Sequence, residues 1–254
     1  MSDTAPHTTT GPAGAQHADV LTLDGISVRY GAAQAVRDAS LHVVSGEVVC
    51  LLGANGAGKS SLLKGVAGVV PAGSGRITFN GIDITAEAPW DIARLRLSYV
   101  PQNRRCFAGM SVEENLRMGA ITVAKVDVDA RLQQVFDLFP VLAEKRRQDA
   151  TQLSGGQQQM LAIGRGIIGH PSMLLLDEPS LGLSPKIVGE LAGWITEIVR
   201  ELEMSVLLVE QNFQLASDCA SRGYLMSQGS IVTEGTTEQL ADRVMGVYLG
   251  DAAS

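Results

Sequence analysis

Glu47-Val-Val-Cys-Leu-Leu52 runs into Gly53-Ala-Asn-Gly-Ala-Gly58 and then Lys59-Ser60-Ser61. The first six residues are short, dense and apolar, the make-up of a strand buried on both faces of a sheet. The glycine-rich stretch matches GxxxxGK[ST], and it lies between that strand and an expected helix, the context that gives the pattern its meaning. Glycines allow backbone conformations closed to other residues, so successive N–H groups can turn inward as an anion nest. The helix expected from Lys59 adds the positive end of its dipole. Gly53, Ala54, Asn55, Gly56, Ala57, Gly58, Lys59, Ser60 and Ser61 are therefore read as a cradle for nucleotide phosphates. Lys59 is placed to reach the β- and γ-phosphates, and Ser60 to ligate Mg²⁺.

Outward from this loop the chain reads as α/β, with short apolar runs alternating with helical patterns. Strands are expected at Val20–Val28, Gly75–Phe79, Ser98–Val100, Met173–Asp177, Ser205–Glu210, Gly223–Ser227 and Ser230–Glu234, with a helix over Pro185–Glu203 and another at the end. Dense strands thin out over about 84–169, where helical patterns such as Val112–Met118 and Val128–Phe139 dominate. That span is read as an inserted helical lobe. Met173-Leu-Leu-Leu-Asp177-Glu178 supplies the acidic partner a phosphate loop needs. Asp177, at the carboxyl end of a buried strand, can hold Mg²⁺. Glu178, at the strand mouth, can act as a general base on water.

Composition narrows the classes. The chain has 254 residues, 27 Asp+Glu and 20 Lys+Arg, for a net charge of −7. An acidic field disfavours general binding of nucleic acid. Cys50, Cys106 and Cys219 are few and unpaired in spacing, which fits a reducing compartment rather than a disulfide framework. No apolar stretch approaches the length of about 18 residues that would suggest a membrane span. Residues 1–18 hold no Lys or Arg and no apolar core, so they read as a disordered tail and not a secretory signal. Residues 19–254 are expected to form the folded domain, located in the cytoplasm.

Leu153-Ser154-Gly155-Gly156-Gln157 reads LSGGQ. Physically it is a second compact nest at a helix start, able to grip a phosphate with backbone N–H groups and a hydroxyl. With it the sequence resembles the ATPases of ABC transporters over about residues 20–235. The resemblance implies a P-loop NTPase with a RecA-like mixed sheet core, an antiparallel β subdomain and an inserted helical signature lobe. It implies ATP and Mg²⁺ as ligands. Tyr30 would stack on adenine, and Gln102 would sense Mg²⁺ and the attacking water. Two such subunits would bind head to tail, with Ser154, Gly155, Gly156 and Gln157 contacting the nucleotide held by the partner. Closure on ATP would be passed to integral-membrane permease subunits through the region near Gln102 and residues 103–115, at the inner face of the cell membrane.

Two positions depart from the family pattern. Members usually carry a histidine where Val209-Glu210-Gln211-Asn212 has Gln211. An amide can donate to a phosphate but cannot shuttle a proton. Glu178 is therefore expected to be the base, and Gln211 a weaker γ-phosphate sensor. Ser184 stands where members usually have Asp. These residues, with Arg104-Arg105 after Gln102, resemble the second ATPase of importers for branched-chain and other hydrophobic amino acids. Such importers normally pair two different ATPase chains and receive solute from a binding protein; a homodimer stays open here. Importers of urea or short amides share much of the pattern. An exporter ATPase and a soluble ABC protein of DNA repair or translation are the other readings.

Overall fold

Val48–Leu52, buried at every position, forms strand β3 at the centre of a six-stranded sheet. The computed structural model describes residues 19–121, 127–241 and 243. Beside β3 lie Ser205–Glu210 (β8) and then Met173–Asp177 (β7), both also buried throughout. Leu97–Val100 (β6) closes that side in parallel, while Arg222–Ser227 (β9) flanks β3 on the other and pairs with Ser230–Thr236 (β10) in antiparallel fashion.

Side chains along these strands alternate between two cores. Val48, Cys50, Leu52, Leu174, Leu176, Val206 and Leu208 join one. Val49, Leu51, Met173, Leu175, Leu207 and Val209 join the other. Burial on both faces explains why the strands are unbroken apolar runs without alternation.

The second core is covered by helix α1 (Lys59–Val66) and by a separate four-stranded antiparallel sheet. That sheet contains Asp19–Tyr30 (β1), Ala33–Val44 (β2), Ala72–Phe79 (β4) and Ile82–Asp83 (β5). Strand β2 was not anticipated from the sequence. Asp38 at φ 48° interrupts it, so its buried residues fall at Val36, Ala39, Leu41 and Val43 and not in strict alternation.

Helices cover the first core. They are α3 (Val112–Met118), α4 (Val128–Leu138), α5 (Pro140–Glu144), α6 (Gly155–Ile167), α7 (Pro185–Leu202) and α8 (Phe213–Cys219). Leu191, Ile195 and Ile198 form the buried stripe of α7, at the spacing of an amphipathic helix. Within the span 84–169, helix α2 (Pro89–Arg94) and β6 come first, and β6 belongs to the large sheet. The uninterrupted helical part runs from α3 to α6. The expected tail 1–18, and the terminal helix past position 241 apart from residue 243, lie outside the described residues.

A cluster of charges ties the start of this helical part to the segment before α6. Glu113 pairs with Arg146 and Arg117, while the N–H groups of Val112 and Glu113 donate to Gln148 and Arg146 carbonyls at 3.0 and 3.1 Å. The Arg146 hydrogen bond, opposed by partial burial, leads in lowering the Glu113 pKa from 4.5 to about 2. A carboxyl depressed in the folded state contributes stability above its unfolded pKa and loses it as the pH falls through the folded one. Glu113→Gln is thus expected to lower the Tm near neutral pH and to flatten its decline between pH 4.5 and about 2. Parallel Tm-against-pH curves for the two proteins would rule out this coupling.

Candidate functional site at the carboxyl ends of the parallel strands

Parallel strands direct their carboxyl ends to one edge of a sheet, where open α/β folds bind ligands. Here Leu52 stands opposite Glu210, Asp177 opposite Val209, and Val100 opposite Leu176. The segments that leave this edge are Gly53–Gly58 from β3, Gln211-Asn212 from β8, Glu178 from β7, and Pro101-Gln102 from β6.

Two glycines of the phosphate loop are obligatory. Gly58 has φ 106° as it starts α1, and a Cβ there would sit 2.4 Å from the Ala35 carbonyl oxygen. A Cβ on Gly53 would sit 2.4 Å from the Met226 carbonyl oxygen. The loop therefore presses on β2 and β9, and its own backbone faces the edge. Asn55 and Gly56 are exposed at its tip, and Ala57 is buried beneath it.

Lys59 is only 3% exposed. Its ammonium donates to the Gly53 and Ala54 carbonyls at 2.8 and 3.0 Å and pairs with Glu178 Oε1 at 3.0 Å. Gln102 Nε2 donates to the other Glu178 oxygen at 2.8 Å. Ser60 Oγ donates to Asp177 Oδ1 at 2.7 Å. The structure thus gathers Lys59, Ser60, Asp177, Glu178 and Gln102 around one point. Glu178 holds a left-handed backbone (φ 45°), a conformation costly for a non-glycine residue. Its N–H donates to the Val209 carbonyl at 2.9 Å, which fixes the bend.

Ser60 and Asp177 form a hydroxyl–carboxylate oxygen pair suited to Mg²⁺, which takes one or two protein oxygens and completes its shell with phosphates and water. Among the described residues no group of three His, Cys, Asp or Glu converges as a metal cage. The donor set fits an ion brought with a nucleotide.

Three other residues of this region were not assigned a role from the sequence. Tyr99 donates to Asp177 Oδ2 at 2.9 Å. Burial, then the Asp177 charge beside it, pushes its hydroxyl well above the usual phenol range, so it stays a donor. Glu210, 1% exposed, accepts from Ser180 N and Oγ, both at 2.9 Å, and from the N–H groups of Gln211 and Asn212. Burial raises its pKa against the pull of those donors. Arg104 Nε donates to Gln159 Oε1 at 3.2 Å, and its Nη2 to the Leu181 carbonyl at 2.8 Å. For Tyr99 and Glu210 the only signal was position, at the end of a strand beside an assigned residue.

Of the other expected site residues, Gln211 borders this cluster and the nest Ser154–Gln157 lies apart from it. Gln211 is exposed just past β8, with Glu178, Ser180 and Glu210 around the same hollow. Tyr30 is exposed at the end of β1 and within electrostatic reach of Tyr99. Ser154 caps α6. Its hydroxyl accepts from Gln157 N at 3.4 Å, while the Gln157 side chain accepts from Ser154 N at 3.1 Å. Gly156 packs on Ile187 of α7, and a Cβ there would lie 3.1 Å from that side chain. No hydrogen bond or ion pair among the described residues joins Ser154–Gln157 to Gly53–Ser61. The nest is presented outward, with Ser154 and Gly155 exposed. Burial pushes the Cys50 and Cys219 thiols up to about 12 and raises the Cys106 thiol as well.

The chain is 43% identical over 233 residues to the high-affinity branched-chain amino acid transport ATP-binding protein BraG of Pseudomonas aeruginosa, covering 91% of this chain and 100% of the relative. It is 36% identical over 205 residues to the probable branched-chain amino acid transport ATP-binding protein LivF of Archaeoglobus fulgidus, covering 81% of this chain and 87% of the relative. A crystal structure of an ATP-binding cassette of an ABC transporter in its ADP conformation superposes with a TM-score of 0.81 at 24% identity, covering 92% of this chain and 99% of that one, which bears on the fold alone. Residues 36–181 match the family model for the ABC transporter. The chain belongs to the ABC transporter family, as one of its ATP-binding domains.

Proposed function

We propose that this chain hydrolyses ATP to energise an importer of branched-chain or other hydrophobic amino acids. The observation that carries the chemistry is the convergence of Lys59, Ser60, Asp177, Glu178 and Gln102 at the end of the parallel strands. In this reading the loop Gly53–Ser61 cradles the ATP phosphates with its N–H groups, and Lys59 leaves Glu178 for the β- and γ-oxygens. Ser60 and Asp177, oriented by Tyr99, hold Mg²⁺, which neutralises developing phosphate charge. Glu178 takes a proton from the attacking water, and Gln102 orients that water and senses the metal. Gln211 donates an amide hydrogen bond to the γ-phosphate, and Tyr30 stacks on adenine.

The outward nest Ser154–Gln157 serves a nucleotide held by a second ATPase subunit. Gln211 and Ser184 favour a partner different from this chain. The segment α3–α6 relays closure to membrane-spanning permeases. Among the described residues no helix is long and apolar enough to cross a membrane itself, so the chain would act from the cytoplasmic face as a peripheral subunit.

Identity with the Pseudomonas and Archaeoglobus relatives supports the solute class. An exporter is the second reading, favoured by 32% identity over 240 residues to the lipopolysaccharide export system ATP-binding protein LptB of Haemophilus influenzae. Deleting the gene and measuring uptake of labelled leucine and labelled urea at low concentration separates these readings. Loss of leucine uptake alone is expected. Unchanged leucine uptake with normal growth on leucine as nitrogen source would refute the solute assignment.

A further inference from the structure

Between Glu178 and α7 the chain makes a short loop, Pro179–Ser184, and two buried or half-buried ionic side chains hold it from opposite sides. From the sheet side, the Glu210 carboxylate takes both the N–H and the hydroxyl of Ser180 at 2.9 Å, while also accepting from Gln211 N at 3.1 Å and Asn212 N at 3.2 Å. From the helical side, the Arg104 guanidinium takes the Leu181 carbonyl at 2.8 Å and Gln159 of α6 at 3.2 Å. The segment carrying Arg104 is itself fastened to the last turns of α6, because Arg165 donates to the Arg104 and Arg105 carbonyls at 3.0 and 2.8 Å.

We propose that Glu210 and Arg104 are positioning residues which clamp Ser180-Leu181 and thereby set Glu178, Gln211, Gln102 and the start of α6 in one register. Neither touches the phosphate loop. Each holds a loop that carries a chemical residue, Glu210 through Ser180, Gln211 and Asn212, and Arg104 through Leu181 and Gln159. Gln102 lies two residues before Arg104, Glu178 two before Ser180, and Gln211 one after Glu210.

The chemistry of the two side chains argues for this role. A buried carboxylate costs more to desolvate than an apolar side chain of the same size, so bulk stability does not require one. It is acceptor-only, and its two oxygens take all four donors here, Oε1 one and Oε2 three. Arg104 supplies a planar fork that reaches two acceptors at fixed angles, which a lysine cannot do. The clamp also joins both lobes at the loop that follows the base, so a shift of α6 would move Leu181 and strain Glu178.

This inference rests on the reading of Glu178 as the base, and the test separates the two. Glu210→Gln keeps the volume, but its amide N–H₂ replaces one acceptor oxygen and opposes at least the Ser180 N–H donor. Its kcat for ATP is expected to fall about a hundredfold, the scale of an ångström-sized misplacement. The ATP KM should stay within about twofold, since the loss is confined to the transition state. Arg104→Lys should lose about tenfold by the same mechanism. Because both changes release one loop, the double variant should lose less than the product of the two single losses. Should Glu210→Gln fold poorly, Ser180→Ala removes one of the four donors with the carboxylate in place, and a loss in kcat without a change in KM is again expected. Normal kcat in Glu210→Gln, or in Ser180→Ala where that variant stands in, beside an inactive Glu178→Gln overturns the clamp while leaving the base intact. Normal kcat in Glu178→Gln would overturn the base reading instead. Multiplicative losses in the double variant would show that the two residues act separately, and would also overturn the clamp.

Discussion

Glu178→Gln is expected to lower the rate of ATP hydrolysis about a thousandfold, within the range a general base contributes, and to leave ATP binding in place. The side chain is 8% exposed, so little bulk water reaches it. One oxygen accepts from Gln102 and the other faces Lys59. A glutamine of the same shape can keep the Gln102 contact through its oxygen. Lys59 stays fixed by the Gly53 and Ala54 carbonyls. The fold and the phosphate cradle should therefore persist, and what disappears is the capacity to take a proton. With ATP uncleaved, a closed two-subunit complex should accumulate, visible by gel filtration with ATP and absent with ADP. Gln211→Ala should cost far less, since an amide has no proton-accepting role to lose. Turnover within a few-fold of the parent protein would remove Glu178 from the mechanism, and an equal loss in Gln211→Ala would make that residue catalytic.

The parallel core was legible because burial on both faces leaves no room for polar residues. Met173–Asp177 and Ser205–Glu210 form strands at the limits their apolar runs indicate. The antiparallel sheet was less so. Strand β2 has one face toward solvent and a bulge at Asp38, so its pattern is neither alternating nor continuous. Helix limits held where caps mark them, as at Ser111 with its capping box before Val112–Met118. Strand β6, expected at Ser98–Val100, forms at Leu97–Val100 inside the span otherwise read as helical.

The site divides in the same way. Lys59, Ser60, Asp177 and Glu178 were readable from motif chemistry and Gln102 from the family resemblance, and the structure brings them together. Tyr99, Glu210 and Arg104 were not, because partners that fix them lie 30 to 78 positions away in the chain. A buried Glu at a strand end looks like any strand-terminal carboxylate until the four donors around it are known. Packing supplies those donors, so no local pattern could announce them.

Lys59→Ala is expected to show two separable losses. The first is affinity. A charged hydrogen bond is worth about 1.5–3 kcal/mol, so losing one at the phosphates should weaken ATP binding about ten- to a hundredfold. The second is stability. Lys59 and Glu178 are an ion pair at 3.0 Å with side chains 3% and 8% exposed. Removing the cation strands a buried carboxylate, a change that costs about 3–5 kcal/mol. For a chain of this size that lowers the Tm by about 6–20 °C. Combining the change with Glu178→Gln removes the stranded charge. The double variant should regain most of the lost Tm while its ATP affinity stays as low as that of Lys59→Ala. Scanning calorimetry and titration with labelled ATP read the two effects independently. A single variant as stable as the parent, with no gain in the double, would mean that the ion pair does not hold the two side chains together in solution. The proposed hand-over of Lys59 from Glu178 to phosphate would then fail with it.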